Sequence, residues 1–269
     1  MAMRLYRLIN ILSLDIVAGA IACSLFFYKT FHVNVDIVAL VILGLSVWVI
    51  YSIDHLLDAK RLKKSAASTA RHRFFQKYFQ TLVYASLVCT LGVTALLPFV
   101  SIRILSMGLG LILIVAVYLI AQRHLVFVKE FVGSLLYSAG IILPAIALKS
   151  GSISVTEAGL ILQFIFVAWI NLLIFSIFDK EADQRDRHVS FVARWGETSA
   201  VKLVLILFVF NGALLVWMLT ESYARQSIIM FVMSALLVSI IFFKSSFDQS
   251  DRFRLLGDAV FLLPLLIWI

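Results

Sequence analysis

The sequence predicts an all-α, polytopic membrane protein with nine transmembrane helices in one bundle. Hydrophobic residues make up 62% of the 269 residues and charged residues 14%, which is more apolar surface than a soluble fold of this length can bury. The apolar residues form unbroken runs of about 20, the length of a membrane-crossing helix, rather than the short alternating segments of a barrel. The Lys and Arg residues are concentrated in alternate connections between these runs, as in polytopic proteins.

The nine predicted spans follow one another with short connections. They cover residues 8–28, 36–53, 78–98, 101–121, 130–148, 157–177, 199–219, 226–243 and 255–269. Because the connections are brief, we expect residues 1–269 to form a single transmembrane domain. Asp15 interrupts the first run, so we expect a retained helix there rather than a signal peptide.

The distribution of basic residues predicts the topology. With a cytoplasmic N-terminus, 19 of the 23 Lys and Arg residues fall in inner segments and four in outer segments, a strong positive-inside signal. The net charge of +8 is therefore attributed to the inner membrane surface and its lipids rather than to nucleic acid. Cys23 and Cys89 lie inside apolar runs and are expected to be small core residues.

Two pairs of aspartates stand at the predicted inner ends of the second and sixth spans. Asp54 and Asp58 form the first pair, and Asp179 and Asp183 form the second. A spacing of four residues places both carboxylates on one helix face, about 6 Å apart, where like charges repel. Mg²⁺ removes this repulsion, since it binds one or two carboxylates and uses substrate phosphate oxygens for other ligands. The simpler alternative is that these residues only end the spans in the headgroup region.

The chain resembles the UbiA superfamily of intramembrane prenyltransferases. Residues 179–183 (Asp-Lys-Glu-Ala-Asp) and 190–196 (Ser-Phe-Val-Ala-Arg-Trp-Gly) are similar to the family's Asp-x-Glu-x-Asp and to its Thr-hydrophobic-Pro-x-Arg-x-Gly stretch. Asp54 and Asp58 match the first family motif, and residues 69–71 resemble the basic stretch that follows it.

This resemblance implies nine helices, with the two motifs at the inner ends of helices 2 and 6, and a prenyl diphosphate bound through Mg²⁺. Asp54, Asp58, Asp179 and Asp183 would be the metal-binding and catalytic residues. Substrate-binding residues would be Arg71 and Arg194, which lie in the matching stretches. Lys129 is a third candidate on the ground of its position, because it stands at the inner end of helix 5, near the same predicted cavity. For most basic residues of the inner loops, the ordinary interpretation is contact with anionic lipid.

The implied activity is transfer of a prenyl group, within the membrane, to a lipophilic acceptor that is aromatic in much of the family. We expect a bacterial inner-membrane location with the active site on the cytoplasmic face. Asp15 and Asp258, within the first and last spans, are expected to form hydrogen bonds inside the bundle.

Two departures from the family pattern affect the predicted metal site. Ile50 and Phe175 occupy positions, four residues before Asp54 and Asp179, where the family usually has Asn or Asp. We therefore expect weaker metal binding. The alternatives are a non-catalytic UbiA-like scaffold or lipid-binding protein and, less in keeping with acids clustered at one face, a transporter.

Overall fold

A computed structural model describes residues 8–61, 70–121, 128–181, 190–248 and 252–269 of the chain. Within these ranges the regular secondary structure is entirely helical, which confirms the all-α class. Asp183 lies outside the described residues.

Besides short helical turns at residues 8–11 and 180–181, the described parts of the chain form twelve α-helices and two 3₁₀ segments. They are α1 (Leu14–Thr30), α2 (Ile37–Arg61), α3 (Ala70–Lys77), α4 (Phe79–Leu96) with the 3₁₀ segment Leu97–Phe99, α5 (Ile102–Ala121), α6 (Lys129–Leu148), α7 (Val155–Phe178), α8 (Phe191–Trp195), α9 (Glu197–Met218), α10 (Ala224–Phe242), α11 (Lys244–Phe247), and α12 (Arg252–Ala259) followed by the 3₁₀ segment Val260–Trp268.

Seven of the described helices are long and apolar enough to cross a membrane, namely α2, α4, α5, α6, α7, α9 and α10. The other two predicted spans are shorter. α1 has 17 residues, and the last span is divided between eight α-helical and nine 3₁₀ residues, with Pro264 inside the 3₁₀ part. The count of nine spans and the cytoplasmic N-terminus remain predictions.

The first helix begins later than its hydropathy suggests. The sequence predicts a span from residue 8, but residues 8–11 form a separate helical turn and α1 begins at Leu14. Ser13 interrupts the helix with a left-handed backbone, φ 56°, a conformation that side-chain-bearing residues rarely adopt. Across the break, Asn10 Nδ2 donates to Asp15 Oδ2 at 2.6 Å.

The second helix is longer than predicted, and this places the first aspartate pair. The predicted span ends at residue 53, whereas α2 continues to Arg61. Asp54 and Asp58 therefore occupy its last turns, on the helix as their spacing of four residues predicts. At the other end of the molecule, Ser154 and Glu157 form a capping box that fixes the start of α7, with the Glu157 side chain accepting from the Ser154 amide at 2.7 Å.

The core is built around α1 and α7. Phe26 and Phe27 of α1 and Phe164 of α7 have no exposed surface, and the rings of Phe27 and Phe164 meet edge to face at 5.3 Å. α1 packs against α2, α6 and the C-terminal 3₁₀ segment. By contrast, α5 buries only Ile104 and exposes much of its apolar surface, as a lipid-facing helix does.

Candidate functional site

A cavity of about 470 Å³ lies among α2, α5, α6, α7 and the C-terminal segment. Most of its wall is apolar. Among the described residues that line it, the charged ones come from the end where α2 and α7 finish and α6 begins. They are three acids and three bases: Asp54, Asp179, Asp258, Arg71, Lys129 and Arg254. A polar end joined to an apolar pocket suits an amphipathic ligand with an anionic head.

The predicted aspartate pairs reach this cavity in part. Asp54 of α2 and Asp179 at the end of α7 both line it, although they are 125 positions apart in the sequence. Asp58 is half-buried on the next turn of α2 and is not one of the described lining residues. Of the four predicted carboxylates, the described structure therefore brings one from each motif, Asp54 and Asp179, to the cavity.

Asp179 is held at the C-terminal end of α7. Its backbone amide donates to the Phe175 carbonyl at 2.8 Å, which closes the last turn. Its Oδ2 accepts a hydrogen bond from Nη2 of Arg254 on α12, and the two side chains form an ion pair. Arg254 is thus a site residue that the sequence analysis did not identify.

Arg71 enters the cavity from the short helix α3. Its Nη2 donates to the Asn10 carbonyl oxygen at 3.1 Å and to Asn10 Oδ1 at 3.2 Å. Removal from water, followed by the nearby positive charge of Arg254, lowers the pKa of Arg71 to about 10. Arg71 therefore remains a cation at neutral pH and is placed to bind an anion.

Asn10 links Arg71 to two buried carboxylates. Its Nδ2 donates to Asp15 Oδ2 at 2.6 Å and to Asp258 Oδ2 at 3.0 Å. These contacts confirm the expectation that Asp15 and Asp258 form hydrogen bonds inside the bundle. They also connect the N-terminal turn, α1 and α12 at the charged end of the cavity.

Lys129 and Arg194 differ in their relation to the cavity. Lys129 is the first residue of α6 and lines the cavity, and its carbonyl accepts from the Tyr118 hydroxyl at 3.3 Å. Arg194 lies on α8, is exposed and is not one of the described lining residues. The structure therefore does not bring Arg194 to the pocket wall with Arg71 and Lys129.

The segment that resembles the second part of the family motif is fixed against two long helices. The Ser190 hydroxyl caps α8 by accepting from the Ala193 amide at 3.3 Å. Next to it, the Phe191 amide donates to the buried Glu130 carboxylate of α6 at 2.7 Å, and the Val192 amide donates to Ser176 Oγ of α7 at 3.3 Å.

The donor set at the charged end suits a hard cation such as Mg²⁺. Asp54 and Asp179 provide carboxylate oxygens, and Asn171, two turns before Asp179, provides an amide oxygen on the same wall. Asn171 Oδ1 is buried and has no hydrogen-bond partner among the described residues, an unusual state for a buried acceptor. In those same residues no group of three His, Cys, Asp or Glu is close enough to enclose a metal. Mg²⁺ would therefore depend on water and ligand oxygens as well.

Two residues of this site were missed for different reasons. Asn171 lies inside an apolar run, two turns before Asp179, and belongs to neither aspartate pair. Arg254 was counted only as part of a basic inner loop. Its spacing of four residues from Asp258 was an available signal, because this spacing places both side chains on one helix face.

Comparison with known proteins identifies the fold. No protein-family model and no curated protein matches the sequence. The structure is similar to that of a UbiA homologue from Archaeoglobus fulgidus bound to DMAPP and Mg²⁺, with a TM-score of 0.63 and 12% identity over 96% of this chain and 98% of that chain. The structure of a UbiA homologue from the same organism bound to GPP and Mg²⁺ gives a TM-score of 0.64, with the same identity and coverage. This agreement over almost the whole chain confirms the resemblance at the level of the fold: the protein has the fold of the UbiA superfamily.

Proposed function

We propose that this protein is a Mg²⁺-dependent prenyltransferase that moves a prenyl group from a prenyl diphosphate to a lipophilic acceptor within the membrane. The main support is that Asp54 and Asp179, from two separate helices, line the charged end of one otherwise apolar cavity. The UbiA homologue with the same fold has been solved with DMAPP or GPP and Mg²⁺. We place the active site on the cytoplasmic face of a bacterial inner membrane, where the positive-inside pattern puts these helix ends.

The charged residues would bind and orient the diphosphate head. Arg71, Lys129 and Arg254 supply N–H donors for its oxygens, and Arg can contact two oxygens at once. Asp54 and Asp179, with Asn171, would hold Mg²⁺, which supplies positive charge for the diphosphate as it leaves. Asp58, on the next turn of α2, and Asp183, four residues after Asp179 in the sequence, are proposed as further ligands. Arg194 is proposed to act from outside the cavity wall.

The apolar part of the cavity would hold the prenyl chain and exclude water. When the bond between the allylic carbon and the diphosphate oxygen breaks, the electron pair leaves with the diphosphate and a carbocation remains. Tyr51, Tyr118 and Tyr137 line the cavity, and aromatic faces stabilise cations in such sites. The acceptor then forms the new bond to this carbon and releases a proton, which balances the reaction.

Binding of GPP to the purified protein, measured with and without Mg²⁺, tests this proposal. We expect Asp54→Asn and Asp179→Asn to lower the Mg²⁺-dependent affinity at least tenfold, since each removes a charged ligand worth about 1.5–3 kcal/mol. Asp248→Asn is the matched control, because Asp248 is an exposed acid outside the cavity. Equal GPP affinity in all four proteins would exclude the proposed metal role.

A second candidate is a non-catalytic protein that binds a lipid diphosphate. The ion pair between Asp179 and Arg254 favours it, because a carboxylate already neutralised by a guanidinium has less need of a metal. The two candidates differ in product formation: only the enzyme releases inorganic diphosphate from GPP when a suitable acceptor is present.

A further inference from the structure

We propose that Arg254 is a built-in cation of this site, which takes the place of one metal ion at Asp179 and lowers the requirement of the site for Mg²⁺. The inference rests on the proposed diphosphate site and goes beyond it. It concerns how this chain neutralises the carboxylate of Asp179, which the resemblance to the family makes a ligand of Mg²⁺.

The first observation is the position of the ion pair. Arg254 Nη2 donates to Asp179 Oδ2, both residues line the cavity, and their side chains are 20% and 23% exposed. The pair is therefore partly removed from water, where screening by solvent and salt is weaker than at an open surface. It engages Asp179, the carboxylate of the second motif that is proposed above to hold Mg²⁺.

The second observation is that aromatic rings fix the guanidinium. The central carbon of Arg254 lies 5.4 Å from the ring centre of Phe175 and 5.3 Å from that of Phe253, within the range of cation–π contacts. Phe175 stands one turn before Asp179, at the position where the family pattern has Asn or Asp. The residue that departs from the pattern thus contacts the arginine that pairs with Asp179.

The third observation is the close approach of α12 to α7. A Cβ added to Gly257 would lie 2.7 Å from Phe175 Cε1 and 2.8 Å from Asn171 Oδ1, both too short for real contacts. Only glycine permits this approach, and Arg254 lies one turn before it on α12. The close approach at Gly257 brings α12 against Phe175. In this position Arg254 contacts the ring of Phe175 and pairs with Asp179.

The chemical consequence is a competition. Mg²⁺ requires oxygen ligands in near-octahedral geometry, and Arg254 opposes its binding because the guanidinium engages one oxygen of Asp179 and its positive charge repels a second cation there. A guanidinium carries five N–H donors, and we propose that Arg254 also contacts a phosphate oxygen when the diphosphate is bound. The arginine should therefore oppose metal binding at Asp179 while itself supporting diphosphate binding.

Arg254→Gln tests this competition because two affinities should change in opposite directions. We expect the dissociation constant for Mg²⁺ without GPP, measured by calorimetry, to fall about tenfold, since the competing cation is gone. We expect GPP affinity in the presence of a chelator to fall about tenfold, because one phosphate donor is lost. A purely structural role would weaken both.

Three further proteins complete the experiment. Arg252→Gln removes an exposed arginine of the same helix and should change neither affinity. Asp179→Asn combined with Arg254→Gln should show no gain in Mg²⁺ affinity over Asp179→Asn alone. Arg254→Lys keeps the positive charge and should retain the Mg²⁺ affinity of wild type. If Arg254→Gln folds poorly, a clear gain in Mg²⁺ affinity in Arg254→Lys would contradict the role of the charge.

The outcomes separate this inference from the proposed function. If wild type binds no GPP with or without Mg²⁺, both fail. If wild type binds GPP in Mg²⁺ but Arg254→Gln leaves Mg²⁺ affinity unchanged or weakens it, the proposed function stands and the role of Arg254 is wrong.

Discussion

Arg71 donates from Nη2 to Asn10 Oδ1 at 3.2 Å, so the helix that follows the first aspartate motif is tied to the N-terminal turn. The same asparagine donates to Asp15 and Asp258. One small amide thus separates two carboxylates and orients the guanidinium that lines the cavity. The geometry makes Asn10 a positioning residue for Arg71, although Asn10 does not line the cavity itself.

The first prediction concerns Asn10→Ala. We expect it to lower the free energy of unfolding by about 1–3 kcal/mol, because buried hydrogen bonds to charged groups are lost and the carboxylates of Asp15 and Asp258 are less well satisfied. GPP affinity should fall several-fold as Arg71 loses its support. Thermal unfolding in detergent and GPP titration measure the two effects.

Arg71→Ala provides the test of mechanism for this prediction. If Asn10 acts on GPP binding through Arg71, Asn10→Ala should have no further effect on GPP affinity in the Arg71→Ala background. Additive losses in the double variant would contradict this route, whatever the change in stability.

The second prediction concerns a polar contact in the middle of the bundle. Gln163 Nε2 of α7 donates to the side-chain oxygen of Asn211 of α9 at 3.0 Å, and both residues are fully buried. Gln163→Leu should reduce the free energy of unfolding by about 1–2 kcal/mol, because it leaves Asn211 without this partner. Unfolding by denaturing detergent is the measurement.

The double variant Gln163→Leu/Asn211→Leu tests whether the two side chains contribute to stability as a pair. It should recover part of the lost stability, since no polar group then remains unpaired at the contact. A double variant that is less stable than Gln163→Leu alone would show that the two residues act separately.

The third prediction uses two glycines as a matched pair. Gly257→Ala should lower the free energy of unfolding by about 1–3 kcal/mol, because the new methyl group meets Phe175 and Asn171 and forces α12 away from α7. Gly110→Ala, on α5, meets no atom within 4 Å and should be neutral or stabilising by about 0.5–1 kcal/mol. Equal effects of the two substitutions would contradict the close packing at Gly257.

The helices were largely predictable from the sequence because the bilayer imposes a length and a polarity on each span. The apolar runs predict α4 to α7, α9 and α10 to within a few residues. The break at Ser13 was not predictable in this way. Asn10, just before the break, donates to Asp15 and Asp258, and hydropathy contains no information about such contacts between the two ends of the chain.

The candidate site was predictable where a pair of carboxylates stood at the end of a predicted span, because acidic residues there are costly and usually functional. Asp54 and Asp179 stood out for this reason, and both line the cavity. Arg254 did not stand out, because an arginine in an inner connection is expected anyway. Its pairing with Asp179 follows from the close approach of Gly257 to Phe175, which is a relation between helices and leaves no local sequence pattern.

The last prediction concerns Ile50, which lines the cavity one turn before Asp54. Ile50→Asn places an amide oxygen beside Asp54, where Mg²⁺ can use it as an additional ligand. We expect the dissociation constant for Mg²⁺ to fall about threefold to tenfold, because one additional polar contact of this kind contributes about 0.5–1.5 kcal/mol of binding free energy. Ile53→Asn is the control, because Ile53 is exposed and is not one of the described lining residues. If both variants change Mg²⁺ affinity equally, or if neither does, Ile50 is not adjacent to a metal site. The Arg254–Asp179 ion pair would then be the remaining explanation in this structure for weak Mg²⁺ binding.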